Sequence, residues 1–191
     1  MRRDYKAGEE IAYTVTYLEM TSHPTFPTPH PPMLPGLSLI RAEDPPVRWF
    51  LHLYDSVGEA HEWTDWHQKS RAEQEAFVSD PAVSIHTLFL KGWTAGFFML
   101  DRREAGVCDL AYFGLAPEAQ GLGLGKYLLQ TAILTGWADG PEQAPMKMTV
   151  NTNTLDGARA LPLYQRMGFS PVRREEMTRI LTHDFSREET P

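Results

Sequence analysis

The chain has almost no cysteine, no long apolar run and a deficit of positive charge. Cys108 is the one cysteine among 191 residues. That excludes an internal disulfide framework and a multi-cysteine zinc site, and it points to a reducing compartment. No stretch approaches the roughly 18 uninterrupted apolar residues that a membrane span requires. The opening residues, MRRDYKAGEE, lack the apolar run of a secretory leader, so the expected location is cytoplasmic, with no membrane partner. Lys and Arg number 18 against 25 Asp and Glu, a formal net charge of -7. Non-specific nucleic-acid binding rests on neutralising phosphates with basic side chains and is disfavoured. The remaining composition, 42% hydrophobic and 23% charged, is that of a globular protein with a sizeable core.

Proline, by contrast, is concentrated. Eight of the 15 prolines fall between Pro24 and Pro46, too dense for a helix or a central strand, so this stretch reads as a long extended connection. Before it, IAYTVTYLE (residues 11–19) is β-branched and aromatic and reads as a strand. After it, Val47, Phe50, Leu51, Tyr54 and Val57 recur at helical spacing up to Gly58. Ser70 and Glu73 stand at capping-box spacing ahead of a second helix that Pro81 limits. VSIHTLFL and WTAGFFML flank Lys91-Gly92 as strands on a tight turn, and VCDLAYFGLA is a third strand. The helix LGKYLLQTAILTGW, the loop ADGPEQAP, the short strand MKMTV, the helix DGARALPLYQRMGF and a last strand VRREEMTRIL complete the order. Three successive strands predict an antiparallel portion, and the later alternation predicts a crossover beside a parallel pair. The expected fold class is α+β (mixed α/β): a central mixed, mostly antiparallel sheet with helices on both faces.

Between a strand and a long helix lies GLAPEAQGLGLGK, a glycine loop of the kind that holds phosphate. A nucleotide P-loop needs Gly six residues before its Lys and Ser or Thr directly after it; Gln120 and Tyr127 occupy those positions. The dinucleotide fingerprint fails on its third glycine, which becomes Lys126 or Leu128, and no acidic residue follows about 20 positions on. Gln120, Gly123 and Gly125 do fit Gln/Arg-x-x-Gly-x-Gly/Ala. With the LAP at 115–117 and the ALPLYQRMGF at 160–169, the chain resembles the GNAT superfamily of acyl-CoA-dependent N-acyltransferases over about residues 83–175.

The resemblance implies a single domain over 1–191 in which two splayed strands form the acyl-CoA cleft. An N-terminal strand and proline-rich connection would occupy 1–46, a helical acceptor-side region 47–82, the acyl-CoA-binding core 83–175, and a final strand and tail 176–191. It implies acetyl-CoA as co-substrate, no metal, and transfer of an acetyl group to a primary amine of a small molecule by direct attack on the thioester; a homodimer is compatible with it. Cofactor contacts would come from Phe113 and Leu115 on the strand, from Gln120, Gly121, Leu122, Gly123, Leu124, Gly125 and Lys126 around the loop, and from Asn153. Tyr164 stands where the family places an acid near the thioester sulfur, although the same spacing suits a packed aromatic. Asp109 stands where several members place a strand carboxylate, so the base is Asp109 or water. Strand alternation would put Asp109, Ala111, Phe113 and Leu115 on one face and turn Tyr112 toward the core. Cys108, the one candidate for a covalent acyl carrier, alternates away from Asp109. The segment EAHEWTDWHQKS, with His61, Trp63, Trp66 and His67, could line an acceptor pocket or serve as surface anchors. Gly157 replaces an asparagine common in the family, and Pro162 falls inside a helix. These departures leave two alternatives, a catalytically silent CoA-binding sensor or scaffold and transfer to a protein lysine or N-terminus.

Overall fold

A computed structural model describes residues 2–138 and 145–188. Most of the expected loop at 138–145 and the tail beyond residue 188 lie outside them. The strands are β1 (Arg2–Tyr5), β2 (Glu10–Met20), β3 (Leu37–Ala42), β4 (Val83–Leu90), β5 (Trp93–Asp101), β6 (Val107–Leu115), β7 (Lys147–Asn153), β8 (Ser170–Ile180) and β9 (Phe185–Glu188). The helices are α1 (Val47–Gly58), α2 (Arg71–Val78), α3 (Leu124–Trp137) and α4 (Ala160–Arg166). Seven strands form one sheet in the order β3-β4-β5-β6-β7-β2-β8. Every pair in it is antiparallel except β6 and β7, which α3 connects as a crossover. β1 and β9 pair separately.

Local chemistry accounts for most element boundaries. Ser70 Oγ accepts from the Glu73 backbone N–H at 3.3 Å while the Glu73 carboxylate accepts from Ser70 N–H at 2.8 Å, a reciprocal cap that starts α2. Lys91 and Gly92 both have positive φ, which suits the two-residue turn between β4 and β5. Pro162 does not break α4. The helix starts only at Ala160, so the proline falls in the first turn, where its missing N–H has no partner to lose.

One feature departs from the expectation. The proline-rich connection contains a strand: no proline falls between Pro35 and Pro45, and within that gap β3 pairs with β4 at the sheet edge. The N-terminal strand β2 lies inside the sheet, between β7 and β8.

The sheet has an apolar core on each face. On one side, α3 contributes Leu124, Leu128, Leu129, Ala132 and Ile133 against Phe98, Leu100, Leu110, Met148 and Val150, with Tyr164 and Phe169 from the α4 region. On the other, α1 contributes Phe50, Leu53, Tyr54 and Val57, and α2 Phe77 and Val78, against Ile85, Phe97 and Met99. Each large side chain withdrawn from water contributes roughly 1.5–3 kcal/mol, so both faces hold their helices firmly.

Candidate active site

The parallel pair β6–β7 is short. It pairs Val107 with Lys147, Cys108 with Met148 and Asp109 with Thr149, and then the two strands part. Beyond that apex, β6 from Leu110 to Leu115 and β7 at Asn151 and Asn153 border a groove of about 990 Å³. The same groove takes in Gln120, Gly121, Gly123, Leu124, Gly125 and Lys126 at one end and Tyr164 on α4. Ten of the residues marked by the sequence therefore converge: Phe113, Leu115, those six, Asn153 and Tyr164. Leu122 does not join them, being 43% exposed on the outer side of the loop.

The loop is built for an anion. Gly121 has φ +80° and Gly123 φ +76°, a region open to glycine at little cost. A Cβ added at either would touch no protein atom within 4 Å, so that space is free for a ligand lying on the backbone. Gly121 therefore has a positive-φ requirement of its own. Gly123 is the N-cap of α3, no side chain caps that terminus, and no acidic residue occupies its first turn. The first N–H groups of a helix lack intrahelical acceptors, and the helix dipole favours negative charge there. A pyrophosphate fits this donor set, and Lys126 adds a cation at the same end.

Tyr164 is 5% exposed and meets Phe113 edge-on at 6.1 Å between ring centres. Burial, then the charges of Asp156 and Asp109, raises its phenol pKa, so the hydroxyl is protonated at neutral pH. Asp156 accepts from Thr152 Oγ1 at 2.7 Å and from the Asn153 backbone N–H at 2.9 Å, which fixes the turn between β7 and α4. Asn153 Oδ1 in turn accepts from the Leu155 N–H at 2.8 Å.

Asp109 does not share a face with Phe113 and Leu115, although strand alternation predicts that it does. In the β5–β6 ladder, Leu110 pairs with Leu100 but Tyr112 pairs with Met99, so Ala111 is an extra residue at a bulge. Strict alternation ends there. Phe113 and Leu115 join the α3-side core with Leu110, whereas Ala111 and Tyr112 join the α1-side core. Asp109, adjacent to Leu110 in regular register, faces the α1 side and lines a second cavity with Asp101, Glu104 and Thr149. Thr149 Oγ1 donates to its carboxylate at 2.5 Å. Burial pushes its pKa up to about 6, opposed by the Thr149 bond and assisted by Asp101 and Glu104. It does not line the groove that holds Tyr164.

Tyr112 packs against the α1-side core and also lines the groove. It meets Tyr54 and Trp63 at 5.2 Å each between ring centres. Trp63 donates from Nε1 to Asp156 Oδ1 at 3.4 Å, and His61 Nδ1 lies 3.3 Å from the Leu155 carbonyl, so the connection after α1 meets the turn before α4 across the groove. His67 pairs with Asp55. Among the described residues, no group of three or more His, Cys, Asp or Glu is arranged to hold a metal. Cys108 is fully buried in the α3-side core, and burial pushes its thiol up to about 11, so it supplies no thiolate nucleophile. Sequence reasoning did not mark Tyr13, Tyr17 or Arg179, which line the groove from β2 and β8. The signal for them is topological, because it depends on β2 lying beside β7.

Residues 41–169 match the acetyltransferase (GNAT) family. The chain belongs to that family. The match spans the splayed strands, the glycine loop and Tyr164, and it identifies the protein as an acyltransferase. A curated relative, the 5-NmdU N-acetyltransferase of Pseudomonas phage PaMx11, is 30% identical over 106 residues, covering 53% of this chain and 70% of the relative. Among solved structures, a GCN5-related N-acetyltransferase from Kribbella flavida superposes with a TM-score of 0.58 at 15% identity, over 86% of this chain and 56% of that one. Another from Sphaerobacter thermophilus gives 0.57 at 14% identity, over 92% and 51%. These two likenesses are of fold, and the chain spans little more than half the length of either structure. Among the described residues, no helix is long and apolar enough to cross a membrane.

Proposed function

We propose that this GNAT member is an acetyl-CoA-dependent N-acetyltransferase that acetylates a primary amine of a small molecule. The observation that carries the reading is the continuity of one groove, from the uncapped α3 terminus and its glycine loop, past the apex where β6 leaves β7, to Tyr164. Acetyl-CoA, when bound, supplies a thioester carbonyl for direct attack by the amine. The backbone N–H groups of Gly121–Lys126 and the Lys126 ammonium bind the pyrophosphate, while the free backbone edge of β6 around Phe113 and Leu115 aligns the pantetheine arm and Asn153 borders it from β7. Holding both reactants in one groove supplies proximity and orientation. The Tyr164 hydroxyl, kept protonated by burial, donates its proton to the departing sulfur and is restored by the proton that the attacking amine loses, carried by water. A base must reach the amine directly or through one water. Asp109 opens into the other cavity, so we assign the amine's proton to water.

The late start of α4 removes one reason to read the protein as a silent CoA-binding scaffold, since Pro162 leaves the helix and Tyr164 intact. Mixing the protein with acetyl-CoA and a panel of primary amines, with free thiol as the readout, tests the proposal. Amine-dependent release well above hydrolysis is expected; release no faster with amines than without them would contradict it.

A further inference from the structure

The groove has a second end whose chemistry differs from that of the glycine loop. Four half-buried rings line the groove away from that loop: Trp63 from the connection after α1 and Tyr112 from β6, which meet each other at 5.2 Å, and Tyr13 and Tyr17 from β2. These rings are held in place. Trp63 sits so close over Gly58 that a Cβ there would lie 2.4 Å from a ring carbon, and its indole N–H is anchored on Asp156. The Arg173 guanidinium lies 3.8 Å from the centre of the Tyr17 ring, and that of Arg179 lies 5.7 Å from the centre of the Tyr13 ring.

The carboxylates lining the groove are Glu62, Asp65 and Asp156; Glu62 and Asp156 are committed to protein donors, and Asp65 is 76% exposed at the rim. Glu62 accepts from the Thr182 backbone N–H at 3.0 Å, the Thr182 hydroxyl at 2.9 Å and the His183 N–H at 3.0 Å. Asp156 holds its own turn and Trp63, and Asp65 lies 3.8 Å from Arg179. A polycationic acceptor would need carboxylates free to meet its several ammonium groups, and two of the rings already face a guanidinium. A flat ring needs only aromatic faces, and offset or edge-on contacts with it stabilise beyond area burial.

From this juxtaposition we infer that the acceptor is a primary amine carried on a flat aromatic or heteroaromatic ring, with the ring read by Trp63, Tyr112, Tyr13 and Tyr17. The inference rests on the proposed acetyl transfer and adds the acceptor class. The test compares kcat/KM for benzylamine, hexylamine and spermidine with acetyl-CoA, alongside calorimetry with coenzyme A. Benzylamine should exceed both others by roughly 3- to 10-fold, the range expected of aromatic contacts. Trp63→Leu should erase that preference while the KM for acetyl-CoA stays within about twofold, an effect confined to one substrate and therefore distinct from general loss of structure. Tyr13→Leu serves as the second variant if Trp63→Leu fails to fold. Spermidine or hexylamine used as well as benzylamine, or an unchanged preference in a folded variant, would overturn the ring assignment and leave acetyl transfer standing. No thiol release with any amine despite coenzyme A binding would overturn the proposed function, and this inference with it.

Discussion

At the scale of single residues, the site depends on which groups are charged when the reaction runs. Tyr164 is held neutral by its surroundings, and the role proposed for it is proton donation. Tyr164→Phe should lower kcat by roughly 100-fold, within the range for a positioned acid, with little change in coenzyme A affinity by calorimetry. Equal turnover would remove the acid role. Asp109 behaves differently. Its carboxyl titrates near pH 6 in the folded protein against 3.8 ordinarily. Between those values the folded chain holds a proton that the unfolded chain has released, so stability falls as pH rises through the window. The full penalty is present above about pH 6. Asp109→Asn removes the charge and keeps an acceptor for Thr149. It should stabilise the protein by about 1–3 kcal/mol at pH 7.5, read as a raised Tm, and by nearly nothing at pH 4. The variant should also keep the acid limb of its kcat/KM profile, because water takes the amine's proton. Loss of a limb near pH 6 would make Asp109 the base after all.

The elements explain which residues were legible in the sequence. The glycine loop and α3 were readable because their requirements are local: positive φ at Gly121 and Gly123, and a helix start without a cap. Gly123→Ala should cost about 1–2 kcal/mol of stability from its left-handed conformation, and its added Cβ should weaken coenzyme A binding several-fold by calorimetry. Undiminished binding would place the pyrophosphate elsewhere. The side on which Asp109 and Tyr112 fall was not readable. One bulged residue at Ala111 reverses the alternation, and nothing in VCDLAYFGL marks the inserted position. For Trp63 the sequence left two readings open, an acceptor-pocket wall and a surface anchor. Its role as a wall depends on Gly58, the last residue of α1, whose missing side chain leaves room for the indole. Gly58→Ala should push that ring out of place and raise the KM for the amine more than the KM for acetyl-CoA.

At the scale of the whole molecule, the order of elements was readable apart from β1, β3 and β9, and the sheet order was not. Local periodicity places strands along the chain, but it cannot show that β2 from the N-terminal end lies between β7 and β8. That position supplies Tyr13 and Tyr17 to the groove, closes the free edge of β7 and buries Leu18 and Met20 in the α3-side core. A fragment limited to residues 41–169, the part that matches the family, would leave β7 without a partner on that side. It should show no cooperative thermal transition, whereas the full chain should melt in one step. The central claim is that the groove between β6 and β7, with the glycine loop at its mouth, receives coenzyme A. Isothermal titration of the intact protein with coenzyme A tests it most directly. One saturable site per chain, weakened in Gly123→Ala, is the predicted result, and no binding up to millimolar ligand would contradict it.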